Sequence, residues 1–208
     1  MYVKDKMTAN PYTIRPNASI SEAFTIMKDN DFHQLPVVKN GKLVGVLTTT
    51  DLQTVTPSKA TSLSVYEINY LLTKLEVSQA MSTDVTTIEA DALLEKAAVL
   101  MRNKDVRSLP VMDGKKLVGI ITQSDIFDAF IDMMGARNSG ARIEVIVPNK
   151  PGVGVEVMKV IGETGANIMH MALHNGTETG ELTFKLDIED ASDICAKLTG
   201  MGYKVKSW

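Results

Sequence analysis

The chain has 208 residues, which sets an expectation of one to three domains. Hydrophobic residues make up 44% and charged residues 23%, which excludes bulk disorder. Twenty-two Lys and Arg against 25 Asp and Glu give a net charge of −3, which excludes a strongly basic nucleic-acid-binding or membrane-binding field. The single cysteine, Cys195, has no partner for an internal disulfide. No apolar stretch approaches the roughly eighteen residues that span a bilayer, and Met1-Tyr2-Val3-Lys4-Asp5-Lys6 is followed by no apolar run, so a cytoplasmic protein is expected.

Laid on itself at an offset of 74, residues 3–52 match residues 77–126 without a gap. Seventeen of the fifty positions are identical, where about three would agree by chance. The chain contains a duplication. Its clearest blocks are Leu35-Pro36-Val37 against Leu109-Pro110-Val111, and Lys42-Leu43-Val44-Gly45-Val46-Leu47-Thr48 against Lys116-Leu117-Val118-Gly119-Ile120-Ile121-Thr122, closing on Asp51 and Asp125.

Each copy reads in order as a strand near Thr13-Ile14 or Thr87-Ile88, a helix, a hairpin and a second helix. Ser19-Ile20-Ser21-Glu22 predicts a reciprocal capping box. Ile20, Ala23, Phe24 and Met27, matched by Leu94, Ala97, Ala98 and Met101, predict the buried helical face. Asn40-Gly41 and Asp113-Gly114 supply hairpin turns, one residue out of register with each other. Between the copies, Pro57-Ser58 breaks the chain and Ser64-Val65-Tyr66-Glu67 opens an amphipathic linker helix carrying Ile68, Leu71, Leu72 and Leu75. The expected layout is a first copy over 1–60, a linker helix over 61–76 and a second copy over 77–135. A fifty-residue unit buries too little surface alone, so the copies should pack sheet against sheet and create twin clefts.

The Leu-Pro-Val strand followed by Gly-hydrophobic-x-Thr-x-x-Asp, present twice, resembles the tandem cystathionine-β-synthase (CBS) pair, or Bateman module. Thr48 and Thr122 stand where a strand turns into a helix, whose free amides and partial positive charge suit a phosphate. Asp51 and Asp125, three residues on, can accept charge-assisted hydrogen bonds from ribose hydroxyls. A Thr at a helix start with an acid three residues later is also an ordinary cap. The resemblance implies that the Asp holds ribose and the Thr faces the phosphate side. The adenine is expected among Ile14, Val37 and Val46 in one cleft and Ile88, Val111 and Ile120 in the other, beside Pro36 and Pro110; these are also natural core residues. His33 and Arg107 share one repeat position, where family members with phosphate ligands place a basic side chain, so the two clefts are expected to differ in preference.

Past residue 135, Gly135-Ala136-Arg137-Asn138-Ser139-Gly140 reads as a flexible joint, and residues 141–208 as a new domain. Arg142 to Val147 alternates as a strand, and Pro151 precedes a helix with Val153, Val157, Val160 and Ile161 on one face, stopping at Gly165. Strands over 167–173 and 182–188, a helix through Cys195 and Leu198, and a last strand over 203–205 complete a β-α-β-β-α-β order, the ferredoxin-like pattern. With Asn149-Lys150-Pro151-Gly152 and Gly165-Ala166-Asn167-Ile168, it resembles an ACT domain. That resemblance implies edge-to-edge pairing of sheets in a homodimer and an amino acid held near Asn149, Gly152 and Asn167. Asn149 replaces the commoner Asp and Gly154 a larger apolar residue, so a purely dimerising role stands beside ligand binding. The whole order, an α/β chain of two CBS copies and an ACT domain, resembles the acetoin-utilisation AcuB-like proteins.

His170 and His174 share a strand face without a third ligand, and no nucleophile elbow, phosphate-binding P-loop or dinucleotide fingerprint occurs, so neither metal nor catalysis is expected. Two functions are compatible with this reading. One is a regulatory sensor binding AMP, ADP, ATP or S-adenosylmethionine and acting on a protein target, with no nucleic-acid or membrane partner. The other is a constitutive dimeric scaffold or enzyme subunit with empty clefts.

Overall fold

A computed structural model describes residues 1–57 and 63–208; Ser58 of the expected chain break, and the expected boundary at 60/61, lie outside the described residues. The chain forms two compact units, Met1–Ile126 and Phe127–Trp208.

In the first unit, β1 (Thr8–Ala9) precedes α1 (Ile20–Asn30), β2 (Gln34–Lys39), β3 (Lys42–Thr48) and α2 (Thr49–Val55). After α3 (Val65–Lys74), the second copy supplies β4 (Ile88–Glu89), α4 (Leu94–Lys104), β5 (Ser108–Asp113) and β6 (Lys116–Thr122), and α5 (Gln123–Met133) starts in this unit and continues into the second. The Ser19 hydroxyl accepts from the Glu22 amide at 3.1 Å, but no return bond from the Glu22 carboxylate forms among the described residues. The main chain there pairs instead with residues 75–77. Ile20, Ala23 and Met27 are buried while Phe24 is 52% exposed, so the buried stripe of α1 is narrower than its sequence spacing predicts. Both α1 and α4 stop at a left-handed aspartate, Asp31 (φ 54°) and Asp105 (φ 52°). In α3 the predicted capping box forms between Ser64 and Glu67, whose carboxyl the Ser64 hydroxyl and amide hold below its ordinary pKa. Ile68, Leu72 and Leu75 are half-buried and Leu71 is exposed, so this amphipathic helix buries its stripe only in part.

The two hairpins turn differently because their turn residues are offset. Asn40 and Gly41 both take positive φ, as a type I′ turn requires, whereas in the second hairpin Gly114 does so and Lys115 does not. Each hairpin is antiparallel, and each carries a register shift at the same repeat position, Val37/Val38 and Val111/Met112.

The copies exchange their leading segments. β1, which opens the first copy, pairs with β6 of the second through Thr8↔Ile120 and Ala9↔Gly119. Reciprocally, Ser82, which opens the second copy, bridges to Val46 of the first. Tyr2↔Leu93 and Ser19↔Glu76 form a matching pair of bridges related by the same 74-residue shift. The glycines of the repeated motif make this approach feasible. A Cβ on Gly119 would lie 2.3 Å from Met7 Sδ and 3.1 Å from the Thr8 carbonyl oxygen; on Gly45 it would lie 2.6 Å from Met81 Sδ and 2.9 Å from the Ser82 carbonyl oxygen. Gly45→Ala and Gly119→Ala should each cost about 1–3 kcal/mol of stability by overpacking, measured as a lowered urea midpoint. A midpoint unchanged in both would show that the exchanged segments are not held at these contacts.

The second unit contains β7 (Arg142–Pro148), α6 (Val153–Glu163), β8 (Ile168–Asn175), β9 (Thr179–Leu186), α7 (Ser192–Gly200) and β10 (Lys204–Ser207). Its sheet runs β10-β7-β9-β8, antiparallel throughout, which is the ferredoxin-like arrangement. Val145, Leu182 and Phe184 of the sheet pack with Val157 and Ile161 of α6 and Ile194 and Leu198 of α7. The Tyr203 hydroxyl donates to Glu156 at 2.7 Å, which raises the phenol pKa above its ordinary value. The segment expected to be a flexible joint is instead bonded within this unit. Arg137 pairs with Asp128 and Asp132, Asn138 contacts His170 Nε2, and Ala141 exchanges main-chain bonds with Leu186 and Ile188.

Candidate functional site

Both Thr-x-x-Asp motifs form complete capping boxes at the strand-to-helix junction. Asp51 Oδ2 accepts from the Thr48 amide and hydroxyl, each at 2.7 Å, and the Asp51 amide donates back to Thr48 Oγ1 at 3.2 Å. In the second copy Asp125 Oδ2 accepts from the Thr122 amide at 2.7 Å and hydroxyl at 2.8 Å, with the return bond at 3.3 Å. Both aspartates are half-buried. Each uses one carboxylate oxygen for the cap, and among the described residues Oδ1 receives no hydrogen bond. A carboxylate offers about four lone-pair sites, so capping leaves acceptor capacity on the same side chain.

A cavity of about 670 Å³ opens beside the second of these junctions. It is lined by the exchanged leading segment, Thr8 to Tyr12, by Asp31 to Pro36 of the first copy, and by Arg107, Ser108, Ile120 and Thr122 to Ser124 of the second. His33 and Arg107, expected one to a cleft, both line this cavity. Their neighbours Gln34 and Ser108, again one repeat position, meet directly through the Ser108 hydroxyl and Gln34 Oε1. Equivalent residues 74 apart thus face each other across the two-fold relation between the copies. This explains why the basic pair converges.

Of the residues singled out from sequence, His33, Pro36, Arg107 and Thr122 stand on the cavity wall, and Asp125 is bonded to Thr122 without itself lining the cavity. Thr48 and Asp51 occupy the equivalent junction of the first copy and do not line this cavity. Ile14, Val37, Val46, Ile88 and Val111 are buried core, and Pro110 is buried away from the cavity; of the six apolar residues expected around adenine, Ile120 alone lines it. Sequence reasoning missed Thr8 to Tyr12, Asp31 and Phe32, because nothing local to Met7-Thr8-Ala9 announces that it pairs with the other copy.

In the second unit Asn149 is committed to the fold, its side-chain amide donating to the Gly176 carbonyl at 2.9 Å and so joining the loop before α6 to the β8–β9 turn. Gly152 takes φ +85° just before α6, where a larger residue would be strained, and no atom lies within 4 Å of its Cβ position. Asn167 stands at the other end of the sheet, its main-chain N–H donating to the Asp187 carboxylate at 2.8 Å, since β8 runs its eight residues between it and Gly176. The three residues are not brought together within one chain. Among the described residues no His, Cys, Asp or Glu cluster could hold a metal, and no helix is long and apolar enough to cross a membrane.

The model of the CBS domain family matches residues 3–56 and 77–132, and that of the ACT domain matches residues 136–199. The chain belongs to the CBS-domain family and carries a C-terminal ACT domain. The CBS pair resembles solved structures over most of their length. A Vibrio cholerae protein provisionally named an acetoin utilization protein (AcuB) is 29% identical with a TM-score of 0.55, over 67% of this chain and 97% of that one. The CBS pair of protein MJ0100, in complex with 5′-methylthioadenosine and S-adenosyl-L-methionine, is 29% identical with a TM-score of 0.52, over 62% and 95%. CBSX2 in complex with AMP is 27% identical with a TM-score of 0.54, over 63% and 97%.

Proposed function

We propose that this CBS–ACT protein is a regulatory sensor of adenine nucleotides or S-adenosylmethionine rather than an enzyme. The observation that carries the proposal is the cavity between the copies, where His33 and Arg107 converge beside the Thr122–Asp125 junction. The basic pair suits phosphate or another anion, Thr122 stands at a helix start whose partial positive charge favours an anion, and Asp125 Oδ1 suits a sugar hydroxyl. CBS pairs of similar fold are known with AMP and with S-adenosylmethionine bound. In this reading the ligand biases the relation between copies by its difference in affinity for two arrangements, typically about 1–3 kcal/mol of coupling. Thr48 and Asp51 would offer an equivalent second junction. Dimerisation through the ACT sheet, an amino acid or a purely dimerising role there, a protein target, a cytoplasmic setting and a link to acetoin metabolism all belong to the same proposal.

The capping boxes favour a second reading, because both aspartates already have a structural use. In that reading the protein is a constitutive scaffold or subunit of a partner enzyme. Calorimetric titration of the full chain with AMP, ADP, ATP and S-adenosylmethionine separates the two. Saturable binding of at least one supports the sensor, and no heat or thermal shift with any of the four leaves the scaffold.

A further inference from the structure

The repeat relation makes the two junctions equivalent in main chain but unequal in the residues that face a ligand. On the cavity wall Tyr12 and Phe32 form an aromatic pair, ring centroids 5.2 Å apart and planes inclined by 50°. Their counterparts 74 residues on are Thr86 and Val106, neither of them aromatic. Tyr12 is 59% exposed and outside both hydrophobic cores, so burial in a core does not account for it, whereas Phe32 packs against the core of the first copy. The rings line the same cavity as His33, Arg107 and Thr122.

We propose that Tyr12 and Phe32 make this cavity the one preferred base-holding site of the CBS pair, so that a chain takes one purine nucleotide with its base against these rings. The proposal rests on the nucleotide reading above and assigns to it a residue pair and a stoichiometry. A heteroaromatic base stacks on an aromatic side chain through its π-face, an interaction that Thr86 cannot supply. The anionic end then points toward His33 and Arg107, which hold the same position in the two copies and are shared by one ligand.

The test titrates full-length protein with AMP by calorimetry and with the fluorescent analogue ethenoadenosine monophosphate, whose emission changes on stacking. The expected result is about one equivalent bound per chain, with emission quenched. Tyr12→Leu should weaken binding about fivefold or more and abolish most of the quenching, and Tyr12→Phe should restore both. Thr86→Leu, which introduces the same residue at the counterpart position, should leave both as in the unaltered protein. Two equal sites per chain, or Tyr12→Leu binding and quenching as before, would overturn this inference while leaving the nucleotide reading intact. No binding of either ligand to the unaltered protein overturns both.

Discussion

Asp125→Ala is expected to weaken adenylate binding by about tenfold to a hundredfold, the loss of one or two hydrogen bonds to a charged acceptor. The same change removes the acceptor for the Thr122 amide and hydroxyl, so it should also cost about 0.5–2 kcal/mol of stability as a lost helix cap. The two effects are separable. Asp125→Asn keeps a side-chain oxygen for the cap but loses the charge, so its stability should stay near that of the unaltered protein while affinity still falls. Asp51→Ala, at the junction that does not line the cavity, should show the cap cost with a smaller loss of affinity. Titration calorimetry and urea denaturation on the same preparations measure both quantities. Equal affinity in the unaltered protein and Asp125→Ala would mean that the carboxylate serves its own helix alone, and the sensor reading would lose its sugar contact.

The largest stability effect is expected at Gly140. Its φ of +106° lies where side-chain-bearing residues are strained, and a Cβ there would stand 2.1 Å from the Leu186 carbonyl oxygen. Relief would require parting Ala141 from Leu186 and Ile188, which is where β7 is tied to the end of β9. Strain of about 1–3 kcal/mol and overpacking of about 1–3 kcal/mol act together, so Gly140→Ala should lose about 3–5 kcal/mol from the ACT unit. Trp208, the one tryptophan, bonds through its main chain to Arg142 beside this joint, so its fluorescence reports unfolding of that unit. A urea midpoint matching the unaltered protein would refute the account of residues 135–140 as a built segment.

Much of the fold is written in local chemistry. Asn40-Gly41 needs two positive φ values, Thr48 and Asp51 can cap only a helix that starts between them, and Arg142 to Val147 alternates for one buried face; each is a property of a few neighbouring residues. Where local reading fell short, the competing interactions were distant. Glu22 does not complete its cap where the adjoining backbone is engaged by residues 75–77. Asn149 and Asn167, neighbours in a family pattern, are separated by the length of β8.

From residues alone came the duplication at 74, the capped helices, the paired Thr-x-x-Asp junctions and the ferredoxin-like order of the last domain, because periodicity, caps and turns act within a few residues. Tertiary structure alone decided that β1 crosses to the second copy, that His33 and Arg107 share one cavity, and that Tyr12 and Phe32 line it. Pairing between copies depends on how two similar units settle against each other around small residues such as Gly45 and Gly119, and that free energy is shared over contacts 74 residues apart rather than carried by any one segment.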